Sequence, residues 1–198
     1  MTHSNNQPLI YPNTKALIFD LDGTLADTMP LHFKAWSKAA EINNFELTEK
    51  LFLECAGLPT QKIVGIINQK HNLNLNPQKF SDLKETFFRH EMEQIKAIDP
   101  IANIVYKYYG KLPMAVGTGG RKSIALQTLK LLELDTYLPI VVTGDDVNAH
   151  KPAPDTFLRC AQLMNIDPSQ CQVFEDAERG IQAAKNAGMM VTDVREYL

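Results

Sequence analysis

Asp20-Leu21-Asp22-Gly23-Thr24 sets two carboxylates two positions apart beside a glycine and a hydroxyl. Further groups able to do chemistry lie at Gly117-Thr118-Gly119-Gly120, His150-Lys151-Pro152 and Glu175-Asp176. Three carboxylates brought together repel one another and raise their own pKa values unless a cation neutralises them. A hard divalent ion with oxygen ligands meets that need. Mg²⁺ keeps several waters and binds one or two protein carboxylates plus a substrate phosphate. Lys151, the Thr118 hydroxyl and the backbone amides around Gly119 are then left to hold phosphoryl oxygens, the glycines permitting close backbone approach. The implied chemistry is phosphoryl transfer. Asp20 attacks phosphorus in line to form an aspartyl-phosphate. Asp22 protonates the leaving oxygen and then activates water.

These groups are far apart in sequence, so the fold must bring them together. Ala16-Leu17-Ile18-Phe19 is a short apolar run of strand formers that stops at Asp20, and it reads as a buried strand feeding a glycine turn. From residue 31 to 95 the spacing is helical, with stripes Leu31, Ala35, Ala39, Ile42, then Ile63, Val64, Ile67, then Phe80, Leu83, Phe87 and on to Ile95. Asn76-Pro77 supplies a cap and a first helical residue. Beyond residue 100 the pattern alternates: helix 101–109, strand 112–117, helix 121–133, strand 139–143, helix 154–165, strand 171–174, helix 177–187 and strand 189–194. This predicts an α/β protein with a doubly wound parallel sheet and right-handed crossovers. The expected organisation is a core of 15–30 and 96–198, an inserted α-helical cap of 31–95, and a loose leader of 1–14. In such a sheet the carboxyl ends of the strands share the edge where ligands bind, and all four clusters fall at predicted strand ends or just beyond.

The composition sets bounds. The chain has 198 residues, 44% of them hydrophobic, enough to bury a core. Twenty Lys plus Arg against 23 Asp plus Glu give a formal charge of −3, which offers nucleic acid no electrostatic footprint. No stretch approaches the roughly 18 apolar residues of a membrane span, and Met1 to Gln7 does not read as a signal peptide. A cytoplasmic protein, monomer or weak dimer, with no nucleic-acid or membrane partner is the expectation. Cys55, Cys160 and Cys171 lack metal-ligand spacing and read as reduced core thiols.

At Asp20-Leu-Asp22-Gly-Thr24, Thr118, Lys151-Pro152-Ala-Pro-Asp155 and Glu175-Asp176 with Gly180, the chain resembles the haloacid dehalogenase superfamily from about residue 15 onward. It is most like the subgroup of β-phosphoglucomutases and bacterial fructose-1-phosphate phosphatases. The resemblance implies a Rossmann-like core, Mg²⁺ as cofactor and a small phosphorylated substrate. It makes Asp20 the nucleophile and Asp22 the general acid/base and a backbone-carbonyl metal ligand. Asp176 becomes a metal ligand, with Glu175 behind it or an occasional direct ligand. Thr118, Gly119 and Lys151 bind the phosphoryl group. His32 matches a mutase residue that assists the general acid and substrate. Trp36, Phe87 and Phe88 read as core, Lys84 and Arg89 as a solvated charged face, and Asp145-Asp146 as a loop feature without a catalytic role. Hydrolysis of a sugar phosphate of the fructose 1-phosphate type is the leading expectation, and a β-phosphoglucomutase-like isomerase the alternative. Mutases carry an Arg in the cap loop to grip the distal phosphate; Gly57-Leu58-Pro59-Thr60 has Thr there.

Overall fold

The computed structural model describes residues 7–198. They form two compact units. One joins the residues before Thr28 to Lys96–Leu198; the other is Thr28–Ile95. No helix among the described residues is long and apolar enough to cross a membrane.

The first unit is built on a parallel sheet of β1 (Ala16–Phe19), β2 (Met114–Gly117), β3 (Ile140–Val142), β4 (Cys171–Glu175) and β5 (Met190–Asp193), in the spatial order β3-β2-β1-β4-β5. The intervening helices are α5 (Asp99–Tyr108), α6 (Lys122–Leu131), α7 (Asp155–Met164) and α8 (Glu178–Asn186). The strand order runs outward from β1 in both directions. Right-handed crossovers therefore wind helices onto both faces, and the carboxyl edge around β1 becomes the place for a ligand. β1 is buried along its whole length, which is why it reads as a continuous apolar run rather than an alternating one. Ala16 and Ile18 pack with Phe157, Cys160 and Ala161 of α7 and Ala183 and Ala184 of α8. Leu17 and Phe19 point to the opposite face, where Phe19 stacks on Phe174 at 5.0 Å between ring centroids. Cys55, Cys160 and Cys171 are free and buried, and burial pushes the Cys160 thiol up to about 12.

Of the stretch expected to be a loose leader, Met1–Asn6 lies outside the described residues. Residues 9 to 14 are fastened to the sheet. Gln172, fully buried in β4, accepts from the Tyr11 amide at 3.0 Å and the Thr14 hydroxyl at 2.9 Å, and donates to the Leu9 carbonyl at 2.8 Å. A buried amide needs such partners.

The second unit contains α1 (Met29–Ile42), α2 (Glu49–Glu54), α3 (Thr60–His71) and α4 (Pro77–Glu91). Asn76 caps α4 through its side chain, which accepts from the Lys79 amide, and Pro77 is the first helical residue. Trp36, Ala39, Leu51, Val64, Ile67 and Phe80 share one core, with Trp36 tilted against Phe80 at 5.3 Å. Two stripes depart from expectation, that of α1 at Ile42 alone, since Ala35 and Ala39 are buried as expected, and that of α4 by one residue beyond Phe80. In α1 the buried set is Ala35, Trp36, Ala39 and Ala40, leaving Ile42 57% exposed. In α4 it is Phe80, Ser81, Lys84, Phe88 and Glu91. That register follows 3.6 residues per turn from Phe80, so Lys84 is buried, not on a solvated face as expected. Its ammonium lies 5.1 Å from the Phe88 ring centroid and 3.0 Å from His32 Nδ1. Arg89 is exposed, in line with a solvated face.

Candidate active site

Asp20 is the first residue past β1, 5% exposed, and its amide continues the ladder by donating to the Phe174 carbonyl at 2.9 Å. The chain then turns at once. Gly23 has φ of +89° and donates to the Ala26 carbonyl at 2.8 Å. A Cβ at Gly23 would come within 2.4 Å of Asp176 Oδ2, so glycine is required both for the backbone and for the carboxylate lying over it. The Thr24 hydroxyl donates to Asp176 Oδ1 at 2.8 Å. The loop after β1 and the end of β4 are thus joined.

Lys151 arrives from the loop after β3 through a cis bond to Pro152 and is 4% exposed. Its Nζ donates to Asp20 Oδ1 at 2.6 Å and Glu175 Oε2 at 2.7 Å, and the Phe157 ring lies on it at 4.6 Å to the centroid. Ammonium, two carboxylates and a ring face make a closed arrangement in which the charge is satisfied although water is excluded. Glu175 ends β4, and its Oε1 accepts from the Ala177 amide at 3.0 Å. A Cβ at Gly180 would fall 1.8 Å from Glu175 Oε2; the glycine leaves the space that the lysine's partner occupies.

Thr118 follows β2, 1% exposed, its amide bonded to the Val142 carbonyl at 2.9 Å and its hydroxyl accepting from Gly120 N–H at 3.0 Å. Asp22 is half-buried, and both its Oδ2, at 3.5 Å, and Thr118 Oγ1, at 3.4 Å, border the position a Cβ on Gly120 would take. Asp20, Asp22, Thr118, Gly119, Lys151, Glu175 and Asp176 all sit at the carboxyl edge of this unit's sheet. His32 belongs to the helical unit, stacked on Phe88 at 3.9 Å. Because Lys84 can only donate, His32 Nδ1 must accept, which assigns the ring proton to Nε2.

Asp20, Glu175 and Asp176 each offer a carboxylate oxygen, all within 4.8 Å of one another. Three carboxylates facing one ammonium leave a formal charge of −2. Burial first, then Glu175, push the Asp20 carboxyl well above its ordinary range, against the pull of Lys151. Burial and Glu175 likewise push Asp176 up to about 6, although Thr24 opposes the shift. Burial works to lower Lys151, but the Asp20 and Glu175 carboxylates outweigh it and hold the ammonium firmly protonated. An all-oxygen donor set short of two positive charges fits a hard divalent cation.

A model of the haloacid dehalogenase-like hydrolases matches residues 17–194. The chain belongs to that family. Its relatives include the fructose-1-phosphate phosphatase YqaB of Escherichia coli (strain K12), 41% identical over 186 residues, covering 94% of this chain and 99% of that protein. A phosphorylated carbohydrates phosphatase of Thermotoga maritima is 32% identical over 88% of this chain and 82% of its own length. A hydrolase from Pseudomonas syringae superposes with a TM-score of 0.83 at 24% identity, over 93% of this chain and 87% of that one, and shows the same fold.

Two contributors to this haloacid dehalogenase-like site were not legible as such. Phe157 has the composition of any core residue, and only the turn that brings Lys151 over it reveals its second role. Gly180, four residues after Asp176, was part of the motif read in the sequence, but its reason, room for a carboxylate, is three-dimensional.

Proposed function

We propose that the chain is a magnesium-dependent phosphatase of small sugar phosphates, of the fructose 1-phosphate type, with the α/β unit as its catalytic core and the helical unit as its cap. The observation that carries this reading is the buried Asp20 carboxylate at the tip of the central strand, 2.6 Å from a lysine, beside two further carboxylates. Likeness to the Escherichia coli fructose-1-phosphate phosphatase supports the substrate class.

In this reading Asp20 attacks phosphorus and carries the phosphoryl group as an acyl phosphate, while Asp22 gives a proton to the departing sugar oxygen. Asp22 then takes a proton from the water that opens the acyl phosphate, releasing inorganic phosphate and restoring Asp20. Lys151, the Thr118 hydroxyl and the Gly119 amide hold the phosphoryl oxygens. Asp20 and Asp176, with the Asp22 carbonyl, are the ligands we assign to Mg²⁺, with Glu175 behind them. The ion supplies charge neutralisation for carboxylate and phosphate.

Metal binding should show a pH signature. Burial and Glu175 push the Asp176 carboxyl up to about 6 when no cation is bound. A carboxyl raised from 3.8 to about 6 in the folded state adds no penalty below 3.8, one that grows between 3.8 and 6, and a full, constant one above 6. Mg²⁺ relieves that penalty only where the carboxylate is ionised. The rise in melting temperature on adding Mg²⁺ to chelator-treated protein is therefore expected to be large at pH 7.5, to shrink through pH 6 and to be nearly lost at pH 5. A rise that does not change with pH would refute this ligand set.

The reading is tested by following fructose 1-phosphate and β-glucose 1-phosphate in one sample by phosphorus NMR. A mutase must shield its acyl phosphate from water and grip phosphate at both ends of the substrate. Position 60 opens α3 with Thr, which lacks the bidentate grip of a guanidinium. Steady phosphate release is expected, with negligible glucose 6-phosphate even when a bisphosphate primer is present. Isomerisation outpacing release would make the isomerase the better reading.

A further inference from the structure

The short 3-10 turn Gly144–Asp146 follows β3 and runs beside the loop from Thr118 to Lys122, both within the α/β unit. Asp146 closes this turn. Its Oδ2 accepts from the Thr143 amide at 3.0 Å and hydroxyl at 2.7 Å, and its Oδ1 from Lys122 Nζ at 2.9 Å. Asp145 reaches outward, and its Oδ2 accepts from the backbone N–H of Lys122, the first residue of α6, at 2.9 Å. Arg121, at the N-cap position, supplies no side-chain cap of its own. The first turn of α6 is thus capped by a carboxylate from another element, satisfying an amide that the helix itself leaves without a partner.

Between these two carboxylates the backbones touch. Gly144 N–H donates to the Gly120 carbonyl at 2.9 Å, and a Cβ on Gly144 would come to 2.6 Å from the Gly119 carbonyl oxygen. Gly120 N–H in turn donates to the Thr118 hydroxyl at 3.0 Å. The loop carrying Thr118 and Gly119 is held at its middle by Gly144 and at its far end by Asp145. Burial works to raise the Asp146 carboxyl, but the Thr143 hydroxyl and Lys122 outweigh it and hold it below its ordinary range.

We propose that Asp145, on the turn closed by Asp146, is a positioning residue that sets the shape of the Thr118–Arg121 loop for a phosphoryl group. The inference rests on the phosphatase reading above. Donors for an oxyanion act by being aimed before the charge arrives, and a displacement of about 1 Å can cost on the order of a hundredfold in rate. With Gly at positions 119 and 120, the loop has no side chains there to stiffen it, so contacts from outside add to the Gly120–Thr118 bond in fixing its shape.

Asp145 is exposed, so its replacement leaves the core intact. Asp145→Ala removes the acceptor for Lys122 N–H, whereas Asp145→Asn keeps an oxygen there. With inorganic phosphate as the competing probe, Asp145→Ala is expected to raise the inhibition constant and the KM for fructose 1-phosphate about tenfold, a loss the size of one hydrogen bond. Asp145→Asn should stay within about threefold of the wild type. Amide exchange at Gly120 and Lys122, measured without substrate, should accelerate about tenfold in Asp145→Ala alone. A merely structural role would lower the melting temperature of both variants without separating them in phosphate affinity. Wild-type phosphate inhibition and wild-type exchange in Asp145→Ala would overturn the proposal. A wild-type protein that neither binds nor releases inorganic phosphate would overturn the phosphatase reading instead, and the exchange data would still decide whether the turn holds the loop.

Discussion

Asp20→Asn is expected to lower phosphate release on the order of 10⁴-fold or more, because the amide keeps the size of the side chain and removes its ability to bond to phosphorus. Loss on this scale is usually open to the objection that the variant has unfolded, but here stability should move the other way or not at all. The Asp20 carboxyl is pushed well above its ordinary range by burial and by Glu175, so its ionised form is an unfavourable tenant of the folded protein at neutral pH. A neutral amide removes that repulsion and leaves Lys151 still paired with Glu175 at 2.7 Å. The expected result is therefore an inactive protein with an undiminished melting temperature. Steady-state release of phosphate, together with a thermal melt, decides it. Retention of a tenth of wild-type activity by a sequence-verified variant would remove Asp20 as the nucleophile.

Lys151→Met should be both inactive and unstable. Methionine approximates the lysine stem but leaves the carboxylates of Asp20 and Glu175, whose side chains are 8% and 2% exposed, facing each other without a cation. Removing one partner from a buried ion pair typically costs about 3–5 kcal/mol, and loss of the charge proposed to bind phosphate should cost about 10³-fold in rate. The pH dependence distinguishes charge from packing. Without Lys151 the Asp20 carboxyl favours its protonated form still more strongly, so the deficit is full at pH 7.5 and narrows as the medium acidifies toward pH 5, where protonation takes over the neutralising role. Urea unfolding of both proteins at the two pH values measures this. A deficit equal at both would mean that Lys151 stabilises through packing of its stem on Phe157 and not through its charge.

Much of the α/β unit was legible because its punctuation is local. Gly188 after α8 and the apolar run of β1 each act within a few residues. The site was legible at its strand ends for the same reason, since the sheet gives every parallel strand end one address. What stayed hidden required knowledge of a neighbour in space. Lys84 is a charged residue whose burial follows only once Phe80 and Phe88 of the same helix are seen to face inward. Gln172 sits among Cys171, Val173 and Phe174, and nothing in that run says that its amide fastens residues 9 to 14. Ile42 joined the expected stripe of α1 by spacing, yet it is the helix's last residue, where the chain turns away from the core of its unit.

The position of β1 at the centre of the sheet also has a consequence for synthesis. Its partners are β2 and β4, and β4 leaves the ribosome on the order of 150 residues later, roughly 8 to 30 seconds at ordinary elongation rates. Throughout that interval Ala16-Leu-Ile-Phe19 has no strand on one side to pair with, while the four helices of Thr28–Ile95 can already pack around Trp36 and Phe80. The newborn chain thus carries a finished helical body behind an unpaired apolar strand, the kind of edge on which nascent chains aggregate or are held by chaperones. The strand that ends at Asp20 stays half-paired until β4 arrives, and β4 in turn waits for β5.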